Sequence, residues 1–147
     1  MHNLTIPITR LRPDARLPES AHGPEEDAGL DLYAVEEVTI AAGEWAGVAT
    51  GLAIEIPAGF EGQIRPRSGL AAKFGITLLN SPGTIDPGYR GEIRVLMINH
   101  GRNPYTVCSG DRIAQLVIAA YATVKWQVQK DLAGSKRSGG GFGSTGA

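Results

Sequence analysis

The chain has 147 residues, of which 42% are apolar, with 14 Lys plus Arg against 15 Asp plus Glu and a net charge of −1. That length and composition fit one globular domain with a core of its own. The charge balance gives no electrostatic case for long nucleic acid or an anionic membrane; a small anion held by a local cluster of donors remains open.

In chain order, LTIPITR (4–10) alternates, and Pro7 suits an edge strand because it lacks an amide hydrogen. The N-terminal stretch has no continuous apolar core of the signal-peptide kind. The acidic HGPEEDAG (22–29) carries no readable task. In AGLDLYA (28–34), Asp31 faces opposite to Leu30 and Leu32 on a predicted strand, where it can pair with an Arg or meet a hydrated metal. The strand pattern LDLYAVEEVTIAAG (30–43) stops at Gly43. EWAGVATGLAIEIPAGFEGQIRP (44–66) alternates, with PAG (57–59) as a hairpin-type turn.

PRSGLAAKFG (66–75) is the one helical stretch, over 68–74. Arg67, Ser68 and the Gly69 amide open it, either as a capped surface turn or as a phosphate cradle. NSPGTIDPGYRGEIR (80–94) places Asp86-Pro87-Gly88 as a hairpin tip between strands. Asp86 there either caps its own backbone or accepts a proton from water. Asn80 offers both a donor and an acceptor to a pyrimidine edge, and Tyr89 a flat ring. GEIRVLMINHG (91–101) and DRIAQLVIAAYATVKWQV (111–128) are the most strand-like runs, the latter broken by Gln115. The longest apolar run, 113–124, is too short to span a bilayer, so the expectation is a soluble, cytoplasmic protein. Cys108 alone makes no intramolecular disulfide and reads as a small buried hydrophobe. Residues 129–147 lose the pattern and read as a flexible arm carrying Arg137 and Phe142 in a Gly/Ser strip.

Short strands with Gly/Pro turns predict an all-β barrel or sandwich, one domain over 1–128. GxxxxGK[ST], strand–GxGxxG–helix, HExxH and GxSxG are absent, and His2, His22 and His100 have no metal-ligand spacing.

In this order, AGLDLYA (28–34), PRSGLAAKFGI (66–76), GTIDPGYRGEIRVLMIN (83–99), GDRIAQLV (110–117) and RSGGGFGSTG (137–146) resemble the five motifs of the trimeric dUTPases. The resemblance implies a distorted jelly-roll of the β-clip type with one short helix, assembled as a homotrimer. Its activity would be hydrolysis of dUTP to dUMP and pyrophosphate with Mg2+. It assigns Asp86 to the attacking water, and Arg67, Ser68, Gly69 and Gln115 to the phosphates, with Arg94 as a further contact. Asp31 would meet Mg2+ through water. Asn80 and the backbone of Thr84, Ile85 and Asp86 would read uracil, and Tyr89 would pack beneath deoxyribose. Phe142 and Arg137 of a neighbour's arm would cover the base and meet the terminal phosphate. The related dCTP deaminases need a glutamate where this chain has Leu96.

Overall fold

The computed structural model describes residues 3–146; Met1, His2 and Ala147 lie outside the described residues. Among the described residues, eleven short strands form four small antiparallel sheets, and there is one short helix. The strands are β1 (Ile8–Arg10), β2 (Leu30–Tyr33), β3 (Val38–Ile40), β4 (Trp45–Ala49), β5 (Leu52–Ile54) and β6 (Phe60–Arg65). After α1 (Ser68–Phe74) come β7 (Ile76–Leu78), β8 (Gly83–Ile85), β9 (Arg94–Asn99), β10 (Tyr105–Val107) and β11 (Arg112–Ala120). The largest sheet runs β2-β11-β6-β8, a second runs β4-β9-β7, and β1-β5 and β10-β3 are two-stranded. This is the all-β, jelly-roll-like class that the sequence implies.

Alternation along each strand decides which side chains meet. In β9, Val95, Met97 and Asn99 point inward while Arg94 stands exposed. Facing rows from β2, β4, β7 and β11 add Leu32, Val48, Ile76 and Ile113 to one core, and each such side chain contributes roughly 1.5–3 kcal/mol on burial. The buried Asn99 amide is fully used. Its nitrogen donates to the carbonyls of Ile40 and Asn103 at 2.9 and 2.8 Å, and its oxygen accepts the Gly101 amide at 2.8 Å. It thereby fastens the second sheet to β3 and to the loop after β9.

Several expected boundaries shift. The run 30–43 divides into β2 and β3, and the turn at 57–59 links strands of different sheets. The bend at 86–88 is likewise no hairpin: β8 pairs with β6, whereas β9 pairs with β4 and β7. The last strand ends at Ala120 although apolar alternation continues to 128, because Val124, Trp126 and Val128 find no partner surface among the described residues and stand exposed. Cys108 is exposed, contrary to the sequence reading. Val107 takes the inward place, and the next residue turns out toward Asp111, whose carboxylate accepts the Cys108 amide at 2.8 Å. The helix falls on 68–74 as expected and stops at Gly75, whose φ of 67° is the left-handed cap that glycine adopts without strain. Among the described residues no helix is long and apolar enough to cross a membrane.

Candidate active site

The sheet β2-β11-β6-β8 carries two groups of the candidate residues. At its β8 edge lies a cleft of about 190 Å³, lined by Asn80, Gly83, Thr84, Ile85, Tyr89, Arg94 and Leu96 among others. β8 pairs only with β6, so the backbone of Gly83–Ile85 has an edge without a strand partner among the described residues. Such an edge presents peptide donors and acceptors in a row, the pattern that matches another strand or a flat heterocycle. Asn80 is held beside it by the turn after β7, where the Ser81 hydroxyl donates to the Leu78 carbonyl at 2.9 Å.

The chain leaves β8 through a four-residue turn. The Tyr89 amide donates to the Asp86 carbonyl at 3.0 Å, with Pro87 in the position its fixed φ favours. Arg90 braces this turn. Its Nη1 donates to the Pro87 carbonyl at 2.6 Å, and its Nη2 lies 3.4 Å from a Glu55 carboxylate oxygen. Asp86 stands exposed at the bend, outside the lining of the cleft, and no hydrogen bond or ion pair of its carboxylate is found among the described residues. It therefore does not cap the turn, and its oxygens face solvent. The Tyr89 ring folds back across the turn and donates from Oη to the Glu92 carbonyl at 2.9 Å.

The second group sits at the β2 side. Asp31 is 4% exposed and pairs in the ladder with Gln115 of β11, which in turn pairs with Arg65 of β6. Its Oδ1 lies 3.4 Å from Arg67 Nε and its Oδ2 3.2 Å from Arg112 Nε. Oδ1 is buried without a hydrogen-bond partner. Arg67 is the N-cap of α1 and also donates to the Arg112 carbonyl at 3.3 Å. The cluster thus carries two guanidinium charges against one carboxylate. Ser68 and Gly69 form the exposed first turn of α1, where amides lack an acceptor within the helix. A side chain added at Gly69 would touch nothing in this chain. Gln115 lies over Gly29, half-buried.

Asp31 on β2 stands three strand spacings, about 14 Å, from β8 across the sheet, whereas Arg67 and Ser68 follow β6, the strand beside β8. The cleft alone is smaller than the roughly 300–1,000 Å³ typical of pockets for drug-sized ligands. Arg137 and Phe142 meet neither group: the Arg137 Nε donates to Gly140 within the arm, and the Phe142 ring is wholly exposed. A further cleft of about 210 Å³, walled by Ile6, Ile8, Leu17, Leu30 and Leu116, has no ionisable lining.

Arg94, expected as a further phosphate contact, is already engaged within the chain. Its guanidinium donates to the Gly47 carbonyl at 2.7 Å and lies 3.6 Å from Glu92 and 3.9 Å from Glu36. Sequence reasoning passed over Arg112 and Glu92. The ladder pairs Arg112 with Tyr33, two residues from Asp31, and so brings its side chain to the acid; that pairing is not readable from spacing, although an Arg following Gly-Asp at a strand start was the available signal.

These features define an all-β protein with an edge that suits a flat base and a guanidinium cluster that suits phosphate. A family model described as dUTPase matches residues 16–146. A deoxyuridine 5'-triphosphate nucleotidohydrolase of Solibacter usitatus is 58% identical over 97% of both chains, and one of Clostridium acetobutylicum 52% identical over 97% of both. A solved structure of the Staphylococcus bacteriophage 80alpha dUTPase with dUPNHPP superposes with a TM-score of 0.90 at 28% identity, covering 99% of this chain and all of that one. The chain belongs to the dUTPase family, and its enzyme class is that of the dUTP diphosphatases.

Proposed function

We propose that the enzyme hydrolyses dUTP to dUMP and pyrophosphate by attack of water on the α-phosphorus, at sites shared between three copies of the chain. The observation that carries this reading is the separation of the base-reading edge from the Asp31–Arg67–Arg112 cluster, with the arm touching neither. One copy supplies each half, and a site the size of a nucleoside triphosphate is completed by a neighbour.

Uracil lies along the free edge of β8, its alternating carbonyls and N–H paired with backbone groups of Thr84 to Asp86 and with the Asn80 amide. Tyr89 supports the deoxyribose. Arg67, the Ser68 hydroxyl, the Gly69 amide and Gln115 meet the phosphoryl oxygens, where charge builds in the transition state. Asp86 orients the water and takes its proton as the new O–P bond forms; the bond from the α-phosphorus to the bridging oxygen breaks, and pyrophosphate leaves with that electron pair. Residues 129–147 act as an arm on the 1–128 domain. Phe142 stacks on uracil and Arg137 meets the γ-phosphate of a neighbour's site, excluding bulk water. Glycine and serine let the arm order on substrate and release afterwards.

The residues present are compatible with Mg2+: Asp31 Oδ1 has no hydrogen-bond partner and is balanced only by the Arg67 ion pair at 3.4 Å, which leaves a lone pair for a metal-bound water once Arg67 turns to phosphate. A hard ion that keeps several waters and rests mainly on phosphates suits such a site, with Asp31 holding it through water. Bound so, it would neutralise phosphate charge and align the chain for displacement.

A deaminase reading fares worse. Leu96 lines the cleft where an acid would be needed, and Glu92 is committed to the Gly51 amide at 3.0 Å and to Arg94. In the cell, the reaction would keep uracil out of DNA and supply dUMP for dTTP synthesis, in the cytoplasm.

The test is a panel of dUTP, dTTP, dCTP and UTP scored for pyrophosphate, with dUTP run in 18O water. Preference for dUTP of at least about 100-fold, with label in dUMP, is expected. Label in pyrophosphate, or equal turnover of UTP, would contradict the reading.

A further inference from the structure

We propose that Gly91 is a specificity-determining positioning residue, which sets the height of the Tyr89 ring and through it the discrimination between deoxyribose and ribose. The inference rests on the reading of Tyr89 as the floor of the sugar site.

A Cβ built on Gly91 would lie 2.5 Å from Tyr89 Oη, 2.7 Å from Cζ and 3.0 Å from Cε2. Real Cβ atoms essentially never come closer than 3.0 Å, so the ring occupies the space a side chain would need. All three atoms nearest the added Cβ belong to the Tyr89 side chain. Gly91 is not among the glycines with positive φ, so its backbone is open to any residue, and the position is exposed rather than core. The missing methyl is the seat of the ring.

The seat is closed on the other side by the hydrogen bond from Tyr89 Oη to the Glu92 carbonyl at 2.9 Å. Because Oη is also the atom nearest the added Cβ, a methyl at position 91 displaces this anchor first. Reaching ordinary contact requires a shift of about 1 Å. Two loose ends follow: the ring loses its hydrogen bond, and the surface that refuses a 2′-hydroxyl no longer has a fixed height. Misplacement on this scale at a substrate-positioning group costs up to about 100-fold in rate.

The test compares wild type, Gly91→Ala, Tyr89→Ala and the double variant, each measured for kcat/KM with dUTP and with UTP, alongside thermal melting. The expected result is a Gly91→Ala enzyme with unchanged melting and at least a tenfold fall in the dUTP-to-UTP ratio. In the Tyr89→Ala background, Gly91→Ala should then change the ratio less than twofold, since the residue acts through the ring. An unchanged ratio in the single variant, or a second tenfold loss in the Tyr89→Ala background, overturns the proposal. Equal turnover of UTP and dUTP by the wild type would instead overturn the substrate reading on which it stands.

Discussion

The Asp31 carboxylate lies 3.4 Å from Arg67 Nε while its other oxygen lies 3.2 Å from Arg112 Nε, so one buried acid holds both guanidinium groups. The acid is nearly inaccessible, yet the arginines keep a third and a half of their side chains in solvent. Arg67 is therefore only partly enclosed by the pair, and the proposed mechanism has it turn to phosphate when substrate arrives.

Asp31→Asn keeps the shape and removes the charge. Stability should fall by about 1–3 kcal/mol, measured as a lowered urea midpoint. Turnover of dUTP should drop about 10–100-fold, with a raised Mg2+ requirement, if Asp31 holds the ion through water as proposed. An unaltered Mg2+ dependence would count against the role given to Asp31.

Deleting residues 137–147 removes groups that touch nothing in their own chain's site: the Phe142 ring is wholly exposed and Arg137 bonds only within the arm. Activity should fall at least about 100-fold while sedimentation shows the same assembly. Dissociation of the assembly would make the arm structural instead.

The acidic stretch that carried no legible task is a pinned loop. The Asp27 carboxylate accepts the His22 amide at 2.6 Å and lies 3.1 Å from its Nδ1. The backbone bond to His22 first, and the side-chain bond second, hold the Asp27 carboxyl below the usual aspartate range. A depressed native value means that the fold favours the ionised form. Its contribution is present above the unfolded value and is lost as pH falls through the lower native one. The His22 amide resonance should therefore titrate with a midpoint below that of an unfolded aspartate, and Asp27→Asn should abolish the transition. A midpoint at the ordinary value would show the pin to be absent.

How much could be read in advance varied with the range of the interaction. The helix at 68–74 and the Asp86–Tyr89 turn are set by near neighbours, and both stood in the sequence. The chemistry of Asp31 was legible as a choice between ion pair and water-mediated metal contact, but Arg112 was not, since an offset of 81 residues is closed only by the β2–β11 ladder. Apolar alternation through 128 suggested a strand that stops at Ala120, because alternation reports what a segment would bury and not whether a partner is there. The cleft residues Asn80 and Tyr89 were visible as turn chemistry flanking a strand. That β8 and β9 enter different sheets, leaving an edge free, depended on long-range pairing.

In the proposed mechanism the exposed Asp86 carboxylate, which has no ion-pair partner among the described residues, activates the attacking water. Asp86→Asn preserves the turn, whose hydrogen bond runs from the Tyr89 amide to the Asp86 carbonyl. This variant should bind a non-hydrolysable dUTP analogue within about threefold of wild type and release pyrophosphate at least about 100-fold more slowly, in the range of about 10²–10⁴ for a lost general base. Pyrophosphate release at a near wild-type rate would contradict it.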